Sequence, residues 1–213
     1  MYLTFVRHAE PARNVSAHER NDPGLSERGV AQARCVAEFL AGEPCDALYT
    51  SPLRRARETA AHISAAVGRP AVVVDELAEF GRSHRYQHFE DLTPDDPHYQ
   101  AFLRGDLSPW GTDAATFRSE VLGAIGAIVE RHRGQHVVLV SHGGVANVFF
   151  GHVLGIDGLA FHAPAYVSIS RARAGKGKYT IISLNETGHL RLLGEGLSSA
   201  PEVSGPSGAR SRA

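Results

Sequence analysis

Short apolar runs alternate with amphipathic segments from the first residues of the chain. Tyr2 to Val6 reads as a buried strand. Ser26 then stands as an N-cap before a segment in which Val30, Ala33, Ala37 and Leu40 share one helical face, and Gly42 ends it. Asp46 to Tyr49 gives a second strand. Ser51 followed by Pro52 reads as an N-cap with proline at the first helical position, and Ala56, Ala60, Ile63 and Val67 form the stripe of a helix that stops at Gly68. Ala71 to Val74 is the third strand. After an interruption the alternation resumes with Phe117, Val121, Ile125 and Ile128 on a helix face, His136 to Val140 as a strand, and Gly144 to Leu154 as a helix. Tyr166 to Ser170, Tyr179 to Leu184 and His189 to Leu192 read as strands. The Gly175-Lys176-Gly177 turn makes the first two of these a hairpin. This order predicts an α/β fold, a three-layer α/β/α sandwich whose sheet is mostly parallel and antiparallel at one edge.

The interruption, from about Phe80 to Trp110, is polar, rich in histidine and too long for an ordinary strand-to-helix connection. It predicts an insertion at about 80–112 with some helix, acting as a lid or substrate wall. Beyond 195 the chain turns to Ser, Gly, Pro and Ala, so residues 1–195 are expected to form a single domain and 196–213 a disordered tail.

Composition narrows the function classes. Lys and Arg number 22 against 23 Asp and Glu, so no general basic field for nucleic acid exists and any anion recognition is local. No apolar run approaches the roughly 20 residues of a membrane span, and the first residues lack the basic and apolar regions of a secretory leader. Cys35 and Cys45 have no metal-type spacing and read as reduced thiols of a cytoplasmic protein. His84 and His88 share a helical spacing, but no further ligands complete a set, and no metal is expected. Tyr86, Phe89, Tyr99 and Trp110 of the insertion read first as packing residues, and Arg171, Arg173, Lys176 and Lys178 as solvated charge on the hairpin.

In an open parallel sheet, ligands bind at the carboxyl ends of the strands. Arg7 and His8 follow the first strand, Arg55 lies in the helical turn after the second, Glu79 follows the third, and His142 follows the strand ending at Val140. Two guanidinium groups suit a phosphate and disfavour a further positive charge, which keeps a histidine between them neutral and nucleophilic. His8 is the attacking group on this reading, and Glu79 the acid that protonates the departing alkoxide and later takes a proton from water. Asp75 and Glu76 are the alternative acids.

The chain resembles the histidine phosphatase superfamily, the phosphoglycerate mutase-like family. Val6-Arg7-His8-Ala9-Glu10 is similar to its nucleophile motif, with Ala9 in place of the usual glycine. Leu25-Ser26-Glu27-Arg28-Gly29-Val30-Ala31-Gln32-Ala33 and Thr50-Ser51-Pro52-Leu53-Arg54-Arg55-Ala56-Arg57-Glu58-Thr59-Ala60 resemble two further signatures, and Val140-Ser141-His142-Gly143-Gly144 the segment of the second histidine. The resemblance implies catalytic roles for His8, Glu79 and His142, and substrate contacts for Arg7, Asn14, Arg55 and Gly143. It selects Arg55 over Arg54 and Arg57, and Glu79 through the segment Leu77-Ala78-Glu79-Phe80. It further implies a phosphatase that hydrolyses the phosphate monoester of a small metabolite through a phosphohistidine, with no metal or organic cofactor. A mutase-type phosphotransferase and a non-catalytic module for phosphorylated ligands are the alternatives, and a homodimer stays open. A serine hydrolase is set aside, since no Gly-x-Ser-x-Gly elbow occurs.

Overall fold

Residues 1–193, apart from 14, 17, 18, 20, 83 and 176, are described by the computed structural model of the chain. Its strands are β1 (Tyr2–Arg7), β2 (Ala47–Thr50), β3 (Ala71–Val73), β4 (His136–Ser141), β5 (Ile169–Gly175) and β6 (Lys178–Glu186). They form one sheet in the order β3-β2-β4-β1-β5-β6. β3, β2, β4 and β1 run parallel, while β5 is antiparallel to β1 and β6 to β5. The helices are α1 (Glu27–Ala41), α2 (Arg54–Val67), α3 (Pro97–Leu103), α4 (Ala114–Arg131) and α5 (Gly143–Leu154).

Alternation along the strands divides the core into two layers, because successive side chains leave opposite faces of a sheet. Leu3 and Phe5 of β1 and Val137 and Leu139 of β4 join Val121, Ile125 and Phe149 from α4 and α5. Val6, Val138 and Val140 face the other way, onto Val36, Leu40, Ala60 and Ile63 of α1 and α2. β1 and β4, central in the sheet and buried on both faces, therefore read as continuous apolar runs.

Three sequence readings change. α2 begins at Arg54 with Leu53 as its cap, not at Pro52. The Ser51 hydroxyl accepts from Leu53 N at 3.2 Å and also engages a histidine of the site described below. The strand expected from Tyr166 begins only at Ile169, because Val167 has a φ of 50° and breaks the extended run. Gly188–Leu193 forms a 3₁₀ turn where a strand over His189–Leu192 was predicted. Its Leu190 is buried with the α1–α2 core and its His189 carbonyl accepts from Cys35 Sγ at 3.0 Å, so the segment packs on α1 and does not extend the sheet.

The long segment between β3 and α4 holds α3 and the 3₁₀ turns Asp75–Leu77, Phe89–Asp91 and Ser108–Trp110. Phe80, Phe89 and Phe102 close their rings around Trp110 or one another at centroid distances of 5.1–6.1 Å, and Phe80 meets Phe117 of α4 at 5.6 Å, which fastens the segment to the domain. On the hairpin, Arg171 is not simply solvated: it pairs with Glu43 at 2.7 Å and with Glu186 at 3.1 Å. Lys176 and the tail expected at 196–213 lie outside the described residues, as does Asn14.

Candidate active site

Because β1 to β4 are parallel, their carboxyl ends share one edge of the sheet, and the predicted chemistry collects there. Arg7 ends β1 and His8 follows it; Arg55 is the second residue of α2, Glu79 follows the turn after β3, and His142 caps α5. His8, Arg55 and His142 are nearly sealed, at 2, 2 and 1% exposure. Of the three acids the sequence offers, Asp75 and Glu76 are exposed and Glu79 lines the cavity over His8. Arg54 and Arg57 are exposed, and Arg54 pairs with Glu19 and Glu58. Gly143 starts α5 and lines a neighbouring cavity together with Gly144.

Hydrogen-bond partners fix the tautomers. The Ala9 carbonyl can only accept, so at 2.8 Å it takes the proton of His8 Nδ1 and leaves the lone pair on Nε2. Arg55 Nε donates to that nitrogen at 3.3 Å. Arg55 Nη2 lies 3.4 Å from His142 Nδ1, so Nδ1 is the acceptor and Nε2 donates to Ser51 Oγ at 2.7 Å. Burial, then the charges of Arg55 and Arg7, hold His8 well below the ordinary histidine range, while the Ala9 bond opposes this less strongly. His142 is lowered in the same way, by burial and then Arg55. Glu79 is pushed upward by burial, against the Gly144 N–H bond at 3.0 Å and the nearby guanidinium charges. The result is a histidine biased toward its neutral form beside a carboxyl biased toward its protonated form, a separation that acid–base chemistry at one site can use.

Several motif residues without reactive chemistry hold this arrangement. Ala9 N donates to Thr59 Oγ1 at 3.0 Å, and that hydroxyl donates to Arg55 O at 2.7 Å, which ties the loop that follows His8 to the helix carrying Arg55. Glu10 N donates to Gln32 Oε1 at 3.0 Å, Ser26 N to Glu10 O at 3.0 Å, and Ser26 Oγ caps α1 through Gly29 N at 2.9 Å. Gly29 lies against the same loop, and a Cβ there would stand 2.0 Å from Glu10 O. Gly29→Ala is therefore expected to lose about 1–3 kcal/mol of stability, since backbone must shift to admit the methyl group. Thermal unfolding should register this as roughly 2–4 °C per kcal/mol. Ala9 has no positive φ, so the site does not require glycine there.

The insertion covers the site. Glu90 pairs with Arg7 at 2.7 Å, Asp91 with Arg13, and the Tyr86 ring lies 4.3 Å from Arg55 Cζ. Burial opposes ionisation of Glu90, but the Arg7 charge and hydrogen bond outweigh it and keep the carboxyl below its ordinary range. Arg7 also donates to Pro164 O at 2.6 Å and stacks 4.1 Å over Tyr166, beside the strained Val167. The cavity over His8, bounded by Arg7, Arg55, Glu79 and Tyr86, has a volume of about 60 Å³. Glu90, Tyr166 and the Ser51–His142 bond were not anticipated; of the insertion aromatics read as packing, Trp110 packs, while Tyr86 also covers Arg55. Among the described residues no group of three or more His, Cys, Asp or Glu is placed to hold a metal ion. No helix among the described residues is long and apolar enough to cross a membrane.

Residues 3–187 match the family model of the histidine phosphatase superfamily (branch 1). Phosphoserine phosphatase 1 of Hydrogenobacter thermophilus is 29% identical over 88% of this chain and 93% of its own. An adenosylcobalamin/alpha-ribazole phosphatase of Salmonella typhimurium is 31% identical over 72% of this chain and 80% of its own. In fold, the chain is similar to a phosphoserine phosphatase mutant from Entamoeba histolytica solved with phosphoserine, at a TM-score of 0.72 and 23% identity, covering 89% of this chain and 98% of that one.

Proposed function

The chain belongs to the histidine phosphatase superfamily, and from that premise we propose the following division of roles for a phosphomonoesterase acting on a small phosphorylated metabolite. Arg7, Arg55 and His142 hold the phosphoryl oxygens, His8 Nε2 attacks phosphorus, and Glu79 protonates the departing alkoxide. The phosphohistidine is then hydrolysed by water that Glu79 deprotonates. The arginines replace a metal as the source of positive charge, so the reaction proceeds without one.

The observation that carries this reading is the pairing of a lone pair on buried His8 Nε2, set by the Ala9 bond, with a carboxyl at the same site whose pKa is raised. A module that only bound phosphorylated ligands would need Arg7 and Arg55; a neutral histidine with a lone pair on Nε2 beside a carboxyl of raised pKa supports a reacting site as well. Purified protein is expected to release inorganic phosphate from small monoesters in the presence of chelator, with inhibition by vanadate, which adopts the five-coordinate geometry of the transition state. Transfer to a second alcohol without net phosphate release would identify a mutase instead. Activity lost in chelator and restored by a divalent ion would contradict metal independence.

A further inference from the structure

A second cavity, about 380 Å³, shares Arg7, Glu79, Phe80 and Phe89 with the small one over His8. Phe89, Tyr99, Phe102, Leu103 and Phe161 give it a largely apolar wall. Its volume falls in the range of small-molecule sites, whereas the cavity over His8 holds little more than a phosphoryl group. Glu79 lies on the boundary, where the oxygen joining phosphorus to the leaving group must sit if that carboxyl is to protonate it.

Several polar groups of the larger cavity are engaged, while Arg7 Nε, Glu90 Oε2 and His162 Nε2 are buried there without a hydrogen-bond partner. Glu79 accepts from Gly144 N at 3.0 Å, and Arg7 is taken by Glu90 and Pro164 O. Asn147 Oδ1 accepts from His162 Nδ1 at 2.6 Å, and its amide donates to the His162 carbonyl at 3.0 Å. Burial lowers His162 to about 4, so that ring is neutral near pH 7. Arg7 is the one cation among the described lining residues, and the phosphoryl group claims it. A carboxylate entering this space would meet Glu90 and Glu79 among apolar walls and would compete with the phosphoryl group for Arg7, so desolvating it there would be unfavourable.

We propose that this cavity receives the alcohol part of the substrate, and that the alcohol is uncharged and largely apolar, aromatic or long-chain, in contrast to the charged alcohols of phosphoserine and phosphoglycerate. This rests on the phosphomonoesterase reading above. The alternative path for the alcohol leads from the small cavity toward Arg82 and Arg85 on its rim, which would suit an anion.

The test compares kcat/KM for 2-phenylethyl phosphate, ethyl phosphate, O-phosphoserine and 3-phosphoglycerate, with His8→Ala as the blank. The phenylethyl ester is expected to exceed ethyl phosphate by roughly 10- to 100-fold, from burial of its ring, and to exceed both charged esters. Leu103→Arg, at a position 47% exposed where the fold tolerates a charge, should narrow that preference in favour of 3-phosphoglycerate. Equal rates for the phenylethyl and ethyl esters, a wild-type preference for either charged ester, or an unchanged preference in Leu103→Arg would each overturn the assignment of the cavity while leaving a phosphatase. If no ester shows turnover that depends on His8, the phosphomonoesterase reading fails and the inference falls with it.

Discussion

Wild-type protein mixed rapidly with a substrate is expected to carry its phosphoryl group on His8 Nε2, through a bond that survives base and is lost in acid. His8→Ala should show no label and turn over at least about 10⁴-fold more slowly, since the displacement then has no nucleophile and only the binding groups remain. The tautomer makes this specific to one nitrogen: Nδ1 spends its proton on the Ala9 carbonyl at 2.8 Å, and Nε2 faces Arg55 Nε at 3.3 Å. Burial and the two arginines keep the ring unprotonated well into the acid range, so labelling should persist at a pH where a free histidine would be largely charged. Circular dichroism and a melting curve establish that the variant is folded, since the substitution removes one hydrogen bond to backbone and leaves the Ala9–Thr59 bond in place. An acid-stable label, on serine or aspartate, would contradict the assignment.

The parts of the site that the sequence reveals are those tied to a strand end. Arg7, His8 and His142 follow apolar runs directly, and Arg55 and Glu79 stand within a turn or two of one, so a parallel sheet must carry them to a common edge. The division of the core was legible for the same reason, since Val121, Ile125 and Ile128 mark a helix period that no strand would tolerate. What could not be read depends on contacts between distant segments. Ser51 followed by Pro52 has the local form of a helix cap, yet its hydroxyl meets a histidine that is 91 residues away. Glu90 reaches Arg7 across 83 residues from inside a segment with no clear period. Val167 carries no signal for a positive φ, because only glycine and asparagine announce that conformation. His189 to Leu192 shows why short apolar runs mislead: the same few residues can bury a side chain from a 3₁₀ turn as well as from a strand.

The second large effect concerns proton transfer. With the roles proposed above, phosphoenzyme formation needs His8 unprotonated and Glu79 protonated, and the site shifts the two in those directions, His8 downward and Glu79 upward. The rate of this step with an alkyl phosphate should therefore fall as pH rises through the Glu79 pKa, because the acid form is depleted while His8 stays ready. Glu79→Gln keeps the shape and removes the transferable proton. It should slow alkyl phosphates by about 10²- to 10⁴-fold, abolish that alkaline limb, and leave p-nitrophenyl phosphate much less affected, since a nitrophenolate departs without protonation. Gly144→Ala tests the same role without touching the acid. A Cβ there would stand 2.1 Å from Glu79 Oε1, so the carboxyl must leave its bond to the α5 backbone. The same dependence on leaving group is expected, read as the single-turnover rate so that slow hydrolysis of the phosphoenzyme does not mask it. Equal losses on both esters in Glu79→Gln would take the acid role away from this residue. A normal rate in Gly144→Ala would show instead that Glu79 acts without the backbone bond that now fixes it.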